Sequence, residues 1–122
     1  MTPTGTHLIA DLTGCTGLAD VARVDTALRD AVAAADATLL DVRLHHFGEG
    51  QGVTGVALLA ESHISIHTWP EHGYAAVDIF LCGSRHDLDA ALASLMASFA
   101  ATGCQERRIP RGFGMDHPSP RP

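Results

Sequence analysis

Residues 60–83, "AESHISIHTWPEHGYAAVDIFLCG", contain two strand-like runs, Ser62 to Trp69 and Tyr74 to Cys82, on either side of "PEHG". A proline and a glycine within four residues end one extended run and open the next. The stretch therefore predicts two strands joined by a short break. It also holds the chain's only Trp and Tyr, three histidines, a Glu-Ser pair and a cysteine. Strands that only fill a core do not need so many reactive groups.

The neighbouring segments extend this reading. Val53 to Leu59 is a third strand-like run, and "GEGQG" (Gly48 to Gly52) before it is a loop, since three glycines in five residues suit neither helix nor strand interior. Thr38 to Phe47 and Thr6 to Gly14 read as further strands, and Cys104 to Ile109 as a last one, with the proline-rich tail fraying from Pro110. Between them, Val21, Val24, Leu28, Ala31, Val32 and Ala35 recur at helical spacing behind Asp20 as N-cap. Leu88, Leu92, Leu95 and Phe99 form a second helical stripe, with "SRHD" (Ser84 to Asp87) as a capping-box-like start. The order is strand-helix-strand-strand, then strand-strand-helix-strand. It predicts a single α+β domain over residues 1–122, a two-layer sandwich of a largely antiparallel sheet with two helices on one face.

Composition bounds the function. A chain of 122 residues that is 46% hydrophobic and 18% charged can form one real core. Its net charge of −6 argues against nucleic acid as the main partner. Cys15, Cys82 and Cys104 are an odd set without close spacing, which predicts no disulfide framework and a reducing, cytoplasmic setting. No basic-then-apolar leader and no run of membrane-spanning length is present. The chain has no lysine, so an internal lysine aldimine with pyridoxal phosphate is excluded.

Three chemistries compete for the reactive residues. His63, His67, His72 and Cys82 offer zinc-ligating atoms, but without a C-x-x-C pair or an H-E-x-x-H helix. His63 and His67 would lie roughly 13 Å apart along a strand, too far to share an ion, so no metal is expected. Ser62 lacks the G-x-S-x-G elbow of a Ser-His-acid hydrolase. The third chemistry is a self-made electron sink. Decarboxylation of an α-amino acid leaves a carbanion, which a pyruvoyl group made from a serine can stabilise. The serine hydroxyl must attack the preceding carbonyl, and a base must then remove the serine α-proton. Glu61-Ser62 supplies the bond, with His67 and Thr54 as assisting groups.

At this point the residues resemble a family. "ESHISIHTWPEHGYAAVDIFLCG" is similar to the motif of the prokaryotic S-adenosylmethionine decarboxylase proenzymes, as are "GTHLIADLTGC", "HHF…GVTGV" and "IPRG". The resemblance covers nearly the whole chain. It implies cleavage between Glu61 and Ser62, giving fragments 1–61 and 62–122, with Ser62 becoming the pyruvoyl group that forms a Schiff base with substrate. It further implies His67 as the processing base and Cys82 as proton donor to the product carbanion, while the Thr54 hydroxyl remains a candidate for assisting the processing. Phe47 is implied to stack on adenine and Glu71 to meet the ribose hydroxyls. The implied partners are a small-molecule substrate and a second copy of the chain in a homodimer, in polyamine biosynthesis.

Three departures from the family pattern stand out. Thr54 replaces a serine, Thr13 stands where an aromatic is common, and "FGEGQG" (Phe47 to Gly52) replaces a shorter loop and adds Glu49, a carboxylate that can meet a substrate cation as easily as it can face water. Relatives that decarboxylate arginine or ornithine make these the alternative substrates, with Glu49, Asp11 or Glu71 as partner for a cation. A binding module without chemistry is the reading from a different class. Core packing is the competing role for Phe47, and a small buried hydrophobe that for Cys82. Trp69, Pro70, Tyr74 and Asp78 read as structural, and His45, His46, His63 and His86 as solvated surface. Ser62 and His67 are five apart, so a regular strand points them to opposite faces unless it bends at its start or cleavage frees Ser62 to swing round.

Overall fold

The computed structural model describes residues 5–60, 62–82 and 85–112. Among these residues, six strands and two helices follow in the expected order: β1 (Gly5–Thr13), α1 (Val21–Ala34), β2 (Leu39–His46), β3 (Val53–Leu59), β4 (Ser62–Trp69), β5 (Tyr74–Leu81), α2 (Leu88–Ser98) and β6 (Gly103–Arg111). They form one antiparallel sheet in the order β2-β3-β4-β5-β1-β6. The "PEHG" break is a single 3₁₀ turn, Pro70–His72, closed by Gly73 at φ +58°. Among the described residues, no helix is long and apolar enough to cross a membrane.

Strand period places the core. Leu8, Ala10 and Leu12 on β1, Ile64 and Ile66 on β4, and Val77, Ile79 and Leu81 on β5 all point to the helices, where Val24, Leu28, Ala31, Leu92, Leu95 and Phe99 meet them. One contiguous cluster results, so the sandwich has a single core. The opposite face of the sheet carries no helix. It presents Ile9, Leu58, Trp69 and Ile109 together with His7, His45, His63 and His67.

Local chemistry sets the element ends. Asp20 accepts a hydrogen bond from the Arg23 backbone N–H and starts α1 as expected. For α2 the cap is Asp87, which accepts from the Ala90 N–H, and not a capping box; Ser84 lies outside the described residues. Both helices end without glycine, through Asp36 at φ +59° and Ala100 at φ +51°, each followed by a backbone bond to the last turn (Ala37 N to Val32 O, Ala101 N to Met96 O). The tail expected to fray from Pro110 does not begin there, because β6 continues to Arg111 with Pro110 paired to Thr6; residues 113–122 lie outside the described residues. An edge strand tolerates a residue that cannot donate, since its outer side pairs with nothing.

One buried polar group ties β4 to the first loop. The Thr68 hydroxyl donates to the Leu18 carbonyl at 2.8 Å and accepts from the Val53 N–H at 2.8 Å. Gly52 precedes this contact, and a Cβ there would lie 2.1 Å from the Thr68 carbonyl oxygen. Thr68→Val keeps the shape and removes both bonds, leaving buried partners unsatisfied. A loss of about 1–3 kcal/mol is expected in urea unfolding; an unchanged midpoint would remove Thr68 as a tie.

Candidate active site

Strand parity divides β4 between the two faces. Ile64, Ile66 and Thr68 enter the core, while His63, Ser65, His67 and Trp69 stand on the helix-free face. Thr54 on β3 is the cross-strand partner of His67, and its hydroxyl lies 3.0 Å from His67 Nδ1. Their rung continues through His45 on β2, Ala76 on β5 and Asp11 on β1. Next to it, Trp69 stacks on Tyr74 at 5.1 Å, and the Tyr74 hydroxyl donates to Asp11 Oδ1 at 2.6 Å. That bond, followed by partial burial, raises the Tyr74 phenol above its ordinary range. The phenol therefore stays a donor at neutral pH and fixes where the Asp11 carboxylate points.

Phe47 and Glu71 belong to this same end of the sheet, at the ends of the parallel-running β2 and β4. Phe47 is 62% exposed with its ring 4.5 Å from His45, so it is not a core residue. Glu71 is exposed in the 3₁₀ turn. Glu49 is exposed in a loop closed by Phe47 N to Gly52 O and Gln51 N to Gly48 O bonds. Of the histidines read as solvated surface, His46 departs: its Nε2 is buried without a hydrogen-bond partner in the structure, on the side of β2 that Leu44 shares.

Ser62 and Cys82 lie at the other end. Both line a cleft of about 190 Å³ with Thr38, Ala60, Phe80, Arg85 and His86. The Ser62 hydroxyl donates to the Ala60 carbonyl at 3.2 Å; Glu61 lies outside the described residues. The backbone N–H groups of Arg85 and His86 both donate to the Cys82 carbonyl, and His86 Nδ1 is 3.1 Å from the Asp36 carbonyl. Sequence reasoning left Thr38, Phe80, Arg85 and His86 out of the site, because only the meeting of three separate loops makes them neighbours. A group made from Ser62 would share its cleft with Cys82, so the residues present fit a serine-derived carbonyl with an acid at the same cleft.

The candidate residues thus fall into two sets. β4 runs unbroken from Ser62 to Trp69, and its register with β3 is continuous from Ser62 to His67. Five residues of strand separate Ser62 from His67 by roughly 16 Å. Thr54, His67, Phe47 and Glu71 occupy one end of the sheet, and Ser62 and Cys82 the other.

A family model described as S-adenosylmethionine decarboxylase matches residues 6–112. The chain is 44% identical over 112 residues to the S-adenosylmethionine decarboxylase proenzyme of Thermomicrobium roseum, covering 92% of this chain and 97% of that one. It is 47% identical over 117 residues to the proenzyme of the same name from Parasynechococcus marenigrum, covering 94% and 88%. The crystal structure of the adenosylmethionine decarboxylase from Aquifex aeolicus superposes with a TM-score of 0.85 at 32% identity, over 98% of this chain and 100% of that one.

Proposed function

The chain belongs to the S-adenosylmethionine decarboxylase family, and from that membership we propose that it converts S-adenosylmethionine to its decarboxylated form and carbon dioxide, in polyamine biosynthesis. The observation that carries the site is the cleft shared by Ser62 and Cys82. The pyruvoyl group that the proenzyme relatives imply would derive from Ser62 after cleavage of the Glu61-Ser62 bond, and it supplies the electron sink for the carbanion. Cys82 holds the proton that the product carbanion needs. Phe47 offers an exposed ring for adenine and Glu71 a carboxylate for the ribose hydroxyls.

The working unit is a homodimer packed through the helix-free face. Support comes from two observations. That face exposes Ile9, Leu58, Trp69 and Ile109, an apolar surface that a lone chain would leave in water. The processing and substrate-binding residues also lie at the opposite end of the sheet from Ser62, so one chain does not assemble the site. A second copy, turned about a two-fold axis, brings one chain's Thr54–His67 pair to the other's Ser62. Sedimentation showing only monomers in active protein would contradict this arrangement.

Arginine and ornithine are the competing substrates, because Asp11, held by Tyr74, and Glu49 are exposed carboxylates able to meet a cation. Carbon dioxide release from purified, cleaved protein is expected with S-adenosylmethionine and not with arginine or ornithine. The reverse pattern would overturn the substrate and keep the chemistry. No release from any of the three would favour a binding module.

A further inference from the structure

We propose that His7, His63 and Asp78 form a binding site for a divalent transition-metal ion, with zinc as the best-fitting occupant. The three residues come from adjacent strands β1, β4 and β5, and one ligating atom from each lies within 4.8 Å of the others. This is the one such group of three among the described residues, and it shares only His63 with the set that strand spacing excluded.

The register explains the convergence. His7 and His63 are both cross-strand partners of Phe80, one on each side of β5, and Asp78 is one rung along on the same face. The Phe80 ring fills the floor between the two imidazoles, 5.8 Å from His7 and 6.1 Å from His63. His7 Nε2 already faces Asp78 Oδ1 in hydrogen-bonding contact. Three strands of one sheet hold these groups more firmly than loops would.

The donor set decides the class of ion. Two imidazoles and one carboxylate suit zinc and its first-row neighbours, whereas magnesium and calcium prefer oxygen alone. Zinc bonds of about 2.0–2.2 Å place tetrahedral ligand atoms about 3.4 Å apart, so small side-chain rotations are enough to close the site. The fourth position faces away from the helices. It is open to water or to a group from whatever covers that face.

A competing cation is already present. Arg111 Nη1 lies 3.4 Å from His7 Nδ1, and its guanidinium sits over Phe80 at 5.8 Å. With an ion bound, that charge is repelled.

The test is independent of the decarboxylase reading, since it measures binding alone. Tag-free full-length protein is stripped with a chelator and titrated with zinc against a chromophoric chelator, then with cobalt for its visible spectrum. One zinc per chain is expected, with a cobalt spectrum of tetrahedral type. His63→Gln and Asp78→Asn should each weaken binding by more than about 100-fold, beyond the 10–100-fold that losing an outer hydrogen-bond partner costs. Arg111→Ala should tighten it, and His67→Ala should leave it unchanged. Circular dichroism of each variant checks folding, and His7→Gln replaces any variant that fails it. Substoichiometric binding, or equal affinity in the His63 and Asp78 variants, would overturn the site and leave a hydrogen-bonded pair with a histidine beside it.

Discussion

Ser62→Ala is expected to remain one uncleaved chain and to release no carbon dioxide. Without the hydroxyl no ester forms at the Glu61-Ser62 bond, so there is nothing to eliminate and no carbonyl to act as electron sink. The loss is complete because no other residue of this lysine-free chain supplies an equivalent group. Intact mass and a carbon dioxide assay on the same sample decide it. Turnover by an uncleaved chain would end the pyruvoyl reading. His67→Ala retains the serine and should cleave about 10²–10⁴-fold more slowly, the usual contribution of a positioned base. The two variants also test the division of the site between copies. Alone, Ser62→Ala does not cleave and His67→Ala cleaves only at the slowed rate, but a mixed dimer pairs the Ser62 of the His67→Ala chain with the His67 of the Ser62→Ala chain. Cleavage of the His67→Ala chain on co-expression is expected. Its failure there, beside normal cleavage of wild type, would place His67 and Ser62 in the same chain.

Cys82→Ala should cleave normally yet turn over about 10²–10⁴-fold more slowly, because its proton is needed only after carbon dioxide has left. The hydrogen-bonding supports this separation: the Thr54–His67 pair assigned to cleavage is formed without Cys82, which lines the cleft with Ser62. Cys82→Ser keeps a hydroxyl, a weaker acid than the thiol, and should fall between alanine and wild type. Following fragment formation and turnover on one preparation separates the two steps. Equal, complete loss of both would show that Cys82 supports the fold and not the proton transfer.

Much of this was legible in the sequence. Period-2 runs bounded by Gly and Pro gave the strands, and Asp20 marked the start of α1. The same period separates Ser62 from His67 along β4, and the unbroken strand keeps them at opposite ends of it. The motif around Ser62 identified the family with no reference to shape. Element ends were less legible. Pro110 read as a stop because proline cannot donate, yet β6 runs through it, since an edge strand asks for donors on one side only. Asp36 and Ala100 close their helices in a left-handed conformation that glycine normally marks.

What the sequence by itself determined is which residues share a strand face, because that depends only on the backbone's two-residue period. Which strands stand side by side, and in what register, was decided by the tertiary structure. β1 lies between β5 and β6, far from both in sequence, because burying Leu8, Ala10 and Leu12 against the helices fixes its place and leaves one register that keeps them inside. That choice sets His7 beside His63 and Asp78, and Tyr74 against Asp11. The shared cleft of Ser62 and Cys82 likewise exists only where separate loops meet at one end of the sheet. No spacing along the chain encodes these neighbours, since core packing, which acts between elements, is what brings them together.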